Sequence, residues 1–162
     1  MNDIISITAN LALTLSLIVA VIFGIAQVKA AARDRRERLT LETLRNFQTH
    51  EFAGLIHYIN VTELPLNNKE LISLPSEQQI MFIQFAQQME SLGILVAEKF
   101  IDIDLIDKTL GSFVITSWEK YKPMFLDVRA KSDPFLGEYF QWLAEKIDER
   151  MKLNPRKPFF QT

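Results

Sequence analysis

Cysteine is absent from the 162 residues. That excludes disulfides, thiolate zinc sites and a cysteine nucleophile, and a disulfide-free chain suits the cytosol. Glycine and proline are scarce, at five and six, which argues against long disordered stretches and turn-rich β architecture. No Gly-rich phosphate loop, no Cys/His zinc spacing and no Ser/His/Asp set can be assembled. Charge is missing from one long stretch: the 25 residues Ile4–Val28 contain no Asp, Glu, Lys or Arg.

As a helix that run spans ~37 Å at about 1.5 Å per residue, enough to cross a hydrocarbon core of about 30 Å with some tilt. Asp3 precedes it. Lys29, Arg33, Arg35, Arg36 and Arg38 follow it, offset only by Asp34 and Glu37. Cations concentrate on the cytoplasmic side of a membrane helix, so this asymmetry places the N-terminus outside and the rest of the chain in the cytoplasm. The five bases are the expected lipid-interface residues. The competing reading is a cleaved leader, with Ala30-Ala31-Ala32 as its small-residue site. A leader has a basic start and a shorter apolar stretch of about 7–15 residues, and this run has neither.

Polar residues in the run are not scattered evenly. Ser6, Asn10 and Thr14 recur at i+4, and at 3.6 residues per turn they share a face with Leu17, Ala20 and Gly24. Asp3 marks the outer end of that face. Lipid offers no hydrogen-bond partner, so such a face is expected to meet protein. Three readings stay open. The hydroxyls bond back to their own helix and only Asn10 matters; the face carries self-association; or Asn10 and Thr14 line a water-filled path in a ring of copies.

From Leu39 onward there are 13 basic and 17 acidic side chains. An acidic domain is a poor binder of nucleic acid, whose affinity rests on cations meeting phosphates. The remaining ~115–125 residues suffice for one domain core. No Gly or Pro interrupts Gln27–His50, so the membrane helix is expected to run on into the cytosol. Leu41, Leu44 and Phe47 make a short apolar stripe. Phe52, Leu55, Ile56 and Ile59 continue in helical register with Thr49 as N-cap, in the same helix or a second one. Asn60–Pro75 is the longest expected loop. Ser76 and Gln79 have the spacing of a capping box. Phe82, Phe85, Ala86, Met89, Gly93, Val96 and Phe100 form the next inner face. Asp102 and Asp104 cap a helix lined by Ile106, Leu110, Phe113, Val114, Ser117, Trp118 and Tyr121, which Pro123 should kink or end. Asp133-Pro134 has the pattern of a helix start, with Leu136, Tyr139, Phe140, Leu143, Ile147 and Met151 inside.

Two stretches carry a resemblance. One is Leu41-Glu42-Thr43-Leu44-Arg45-Asn46-Phe47, just after the basic membrane exit. The other is Phe113 through Trp118, with Pro123, Arg129 and Phe140-Gln141-Trp142-Leu143-Ala144. Together they resemble an uncharacterised bacterial family of small single-pass all-helical proteins, a domain of unknown function. The resemblance implies a fold and no chemistry. Arg45-Asn46-Phe47-Gln48-Thr49-His50 has the Arg-x4–6-His spacing of HEPN ribonucleases. In that family the motif sits late in the bundle; here it is near the first cytosolic helix. The layout is also similar to the HEPN-like membrane accessory family of type VI-B CRISPR systems, which implies homo-oligomerisation, a pore and phage defence. If the HEPN resemblance extends to chemistry, Arg45 would stabilise phosphate charge and His50 would transfer a proton; the ordinary alternative is a solvated Arg and a surface or capping His.

Other constellations have simpler explanations. His50 and His57 would lie roughly 10 Å apart along one helix, too far to share a metal. Asp102, Asp104 and Asp107 suit a helix N-terminus, and the aromatics suit a core. The expectation is all-α: one N-terminal transmembrane helix continuing into a small cytosolic bundle of four to six further helices. The divisions are anchor 1–28, basic connector 29–38, bundle 39–153 and tail 154–162. No cofactor or metal is expected. The partners are the lipid bilayer and further copies of the chain, and the site is a bacterial inner membrane. The expected role is a non-enzymatic scaffold or membrane pore. The alternatives are a membrane-tethered HEPN-like ribonuclease using Arg45 and His50, or an accessory subunit of a larger complex.

Overall fold

The computed structural model describes residues 2–155 and residue 160, with the side chains of Asn2 and Asp3 left out. The Asp3 end of the polar face and most of the 154–162 tail therefore lie outside the described residues. Six helices and no strand occur among the described residues: α1 Asn2–Asn46, α2 His50–Val61, α3 Asn68–Ser73, α4 Ser76–Ala97, α5 Ile103–Lys131 and α6 Glu138–Leu153. The chain divides into two compact units, Met1–Arg38 and Leu39–Thr162.

The first unit is helix alone. α1 is unbroken across Val28–Lys29, and its apolar side chains from Ile4 to Val28 are all exposed, from 50% at Ile18 to 71% at Ile4. No side chain from Ile4 to Arg38 is buried. Nothing within this unit supplies an apolar partner for those side chains.

The second unit, the head, has a continuous core. Phe52 and Leu55 of α2 meet Phe82, Phe85 and Met89 of α4, Trp118, Tyr121 and Phe125 of α5, and Phe140 and Leu143 of α6 in one buried cluster. Its centre is aromatic. The Phe82 and Tyr121 rings stack at 4.3 Å, and Phe85 touches the rings of Phe52, Phe113, Tyr121 and Phe140. Such pairs add specificity of arrangement to plain burial. α6 packs on both α4 and α5. Gly93 makes this possible, because a Cβ there would sit 2.3 Å from the Tyr139 carbonyl oxygen.

The short stripe Thr40–Phe47 and the segment after it are two helices, split by a turn at residues 47–49. Thr49 caps α2: its Oγ1 accepts from Phe52 N–H at 3.2 Å. Asp102 caps α5 by accepting from Asp104 N–H at 2.7 Å. The expected loop 60–75 contains α3, capped by Asn67. Phe100 falls beyond the end of α4 and is exposed; Ile101 is buried in its place.

Three local signals are overridden. Pro123 does not end α5, which continues to Lys131. A proline removes one amide from the helix ladder, and buried Trp118 and Tyr121 before it and Met124 and Phe125 after it hold both sides in the core. Ser76 makes no capping bond; α4 begins after Pro75, and the Gln79 amide donates to the Ile72 and Leu74 carbonyls instead. Asp133-Pro134 starts no helix. Asp133 Oδ1 accepts from Phe135 N–H at 3.0 Å in a tight turn, and α6 begins after Gly137. Gly137 is left-handed, with φ 67°, and a Cβ there would strike the Phe125 ring at 2.2 Å. Only glycine fits both demands.

Candidate functional site

Ser6, Asn10, Thr14 and Gly24 all lie on α1 and are exposed. Helical geometry answers part of what the sequence leaves open. Thr14 Oγ1 donates to the Asn10 carbonyl oxygen at 2.8 Å, and Thr8 Oγ1 donates to the Ile4 carbonyl at 2.9 Å on the other face. These hydroxyls are satisfied by their own helix. The Asn10 carboxamide has no such outlet and makes no hydrogen bond among the described residues. At Gly24 a Cβ would meet nothing within 4 Å.

The basic residues follow on the same helix. Lys29, Arg33, Arg35, Arg36 and Arg38 are exposed. By helical spacing Lys29, Arg33 and Arg36 share one side while Arg35 and Arg38 take the other, so positive charge rings the helix rather than forming a stripe. Arg33 Nε donates to Glu37 Oε1 at 2.8 Å. That hydrogen bond and charge push the Arg33 pKa further up. The arginine is permanently charged.

Arg45 stands in the last turn of α1 and His50 opens α2. Both are exposed, and no hydrogen bond joins them among the described residues. Between them Thr49 Oγ1 donates to the Asn46 carbonyl at 3.2 Å while capping α2. Beside this turn runs a groove of about 480 Å³, lined by Asn46, Phe47, Thr49, Glu51, Gln84 and Gln88 among others. The lining includes no Arg, Lys or His, so neither Arg45 nor His50 belongs to it. His57 is exposed on the same helix as His50.

The acidic trio is spent on structure. Asp102 is a cap, Asp104 pairs with Arg150, and Asp107 is buried. Among the described residues no three His, Asp or Glu side chains form a metal-holding group. Trp118, Tyr121 and Phe140 are core residues, Tyr139 is half-buried and Trp142 is 38% exposed.

Three residues do structural work that no local signal announces. Glu90 of α4 accepts from the backbone N–H groups of Tyr139 and Phe140, at 3.2 and 2.8 Å, and so caps α6 from a distant helix. Thr40, wholly buried, accepts from Asp102 N–H at 2.9 Å and ties the head's stretch of α1 to the start of α5. Arg129 Nε donates to the Leu136 carbonyl at 2.7 Å, and its Nη1 bonds Gln141 Oε1. Arg129 and Phe140-Gln141 belong to the motif quoted above; here they clamp the corner between α5 and α6.

A family model described as a domain of unknown function, DUF4760, matches residues 14–147, from the middle of the apolar run almost to the end of α6. No curated protein and no solved structure matches the chain. The match gives a family and no activity.

Proposed function

We propose that this chain, which belongs to the DUF4760 family, is held in a bacterial inner membrane by α1 and self-associates there. It acts as a scaffold or pore without covalent chemistry. The observation that carries the reading is the pairing of a wholly unburied apolar run with a ring of five bases at its C-terminal end. Exposed apolar surface of that length needs lipid or other protein. The bases favour the cytoplasmic side for the head, leaving the N-terminus outside and the cations at anionic headgroups. Divisions at 28/29, 38/39 and 153/154 go with this reading: a span, a basic collar, a helical head and a tail.

Self-association is supported by Asn10, whose carboxamide wants a partner that hydrocarbon cannot supply. The layout shared with the HEPN-like membrane accessory family of type VI-B CRISPR systems points the same way, toward a pore in phage defence. Light scattering of the detergent-solubilised protein at micromolar concentration tests it. Several copies per particle are expected; a monomer throughout rejects the reading. Dye leakage from liposomes carrying the protein then separates a pore from a scaffold. One chain found only in a complex with other proteins would instead favour an accessory subunit.

A second reading has one observation in its favour. Arg45 and His50 are both solvent-accessible and flank a single turn, as a membrane-tethered HEPN-like ribonuclease would need. RNA cleavage abolished by His50→Ala supports it. Absence of cleavage, or cleavage indifferent to that change, removes it.

A further inference from the structure

Resting on the membrane placement of α1, we infer that Asn10 pairs with Asn10 of a second copy, amide to amide, and that this pairing fixes a parallel register between α1 helices. Asn10 is the only carboxamide between Asp3 and Gln27. It stands about 9 Å along the axis from Ile4, inside an apolar layer of about 30 Å. Each polar group left unpaired at that depth costs several kcal/mol. Thr8 and Thr14 meet this demand with their own carbonyls; the Asn10 side chain does not.

The occupant follows from three properties. First, a carboxamide is self-complementary, with an acceptor oxygen and two N–H donors, so two asparagines facing each other satisfy one another. Second, every copy enters the bilayer with the same end outward, because the five bases all lie at one end of the run. Parallel copies therefore bring Asn10 to the same depth with no further adjustment, whereas a different protein would need a polar group at that level. Third, Ala20 and Gly24 lie on the same face and have the small-xxx-small spacing that lets helix backbones approach. At Gly24 there is open space around the backbone. The polar pair would set register in the outer half and the small pair would allow close contact in the inner half.

The absence of cysteine makes the test clean. Single substitutions Ser6→Cys and Leu17→Cys place a thiol on the proposed face; Leu15→Cys and Val19→Cys place one on the opposite face. Membranes carrying each variant are oxidised and run without reductant. Covalent dimers are expected from the first two and not from the second two, since a disulfide requires facing positions; Ser6→Cys, near one end of the run, also requires the helices to be parallel. In the Ser6→Cys background, Asn10→Leu is expected to cut dimer yield, with the association constant falling roughly 5–30-fold. Asn10→Gln, which keeps the carboxamide, is expected to retain it. Leucine raises the apolarity of the run, so a loss cannot come from failed insertion. Dimers indifferent to Asn10→Leu, or dimers only from Leu15→Cys or Val19→Cys, overturn the inference while leaving self-association standing. No dimer at any position, together with a monomer by light scattering, removes both.

Discussion

α1 and α4 are both long and apolar enough to cross a membrane by length and composition, yet they meet opposite surroundings. α4 is two-faced. Phe82, Phe85, Met89, Leu92 and Val96 are buried, while the same helix carries Gln84, Gln87, Gln88 and Ser91 along a polar groove. From Ile4 to Val28 α1 exposes large apolar side chains on every side, broken by the narrow line of Ser6, Asn10 and Thr14, and buries none of them. Of the two, α1 is the more apolar and its run is free of charge, whereas α4 carries Glu77 and Glu90 and gathers its glutamines away from the buried face. A helix with one wet face belongs at the edge of a protein core. A helix that exposes large apolar side chains on every side and has no core to meet them is a candidate membrane span.

The same substitution made in both helices should therefore give different answers. The largest difference is expected for phenylalanine. Phe85→Ala removes a fully buried ring that touches four others and should cost the head about 3–5 kcal/mol, read as a lower urea midpoint in detergent. Phe23→Ala, on a side chain 63% exposed, should leave that midpoint where it was. Equal shifts would break the comparison.

Glycine gives the next contrast. Gly93→Ala drives a methyl against the Tyr139 backbone and should cost about 1–3 kcal/mol through forced separation of α4 and α6. Gly24→Ala meets open space, so the head should melt unchanged and only association between copies should respond. Glu90→Gln is milder. It keeps one acceptor for the first amides of α6 but loses the charge, for about 1 kcal/mol by the same melt.

The smallest effect at neutral pH is Tyr121→Phe, which loses the bond from its hydroxyl to the Phe82 carbonyl at 3.2 Å, worth under about 1 kcal/mol. Its pH signature is more telling. Burial pushes the Tyr121 phenol well above its ordinary value of 10.0, with the neighbouring Tyr58 adding to the shift. The fold favours the neutral phenol. That contribution is fully present below the ordinary value and is lost as pH rises above it, while the unfolded chain deprotonates. A wild-type urea midpoint that falls above pH 10.0, and falls less in Tyr121→Phe, is expected. Ile4–Val28 contains no ionisable side chain, so membrane retention should not follow the same curve.

Much of this is legible in the sequence. The charge-free run, the basic collar, the Thr49 and Asp102 caps and the buried spacing of Phe82, Phe85 and Met89 follow from periodicity and capping chemistry, which act within a few residues. The misreadings share one cause. Asp133-Pro134 carries a proper start signal, but the amides of α6 find Glu90, some fifty positions away in the chain, and Gly137 supplies the turn. Gln79 has a capping partner available in Ser76 and instead serves carbonyls at the end of α3. Pro123 should stop a helix on local grounds, and the aromatic core on both sides of it decides otherwise. For the candidate site, Asn10 could be found from sequence alone. That the Thr14 hydroxyl is already spent required the helix geometry. Thr40 and Arg129 act through backbone groups of other segments, and no spacing rule reports those.

The claim on which the rest depends is that α1 resides in lipid, and washing membranes with alkaline carbonate tests it most directly. Alkaline carbonate strips proteins held only by surface contacts, so retention under that wash reports a span in the hydrocarbon layer. The protein is expected in the membrane pellet; its release into the supernatant would contradict the membrane reading and the Asn10 pairing built on it.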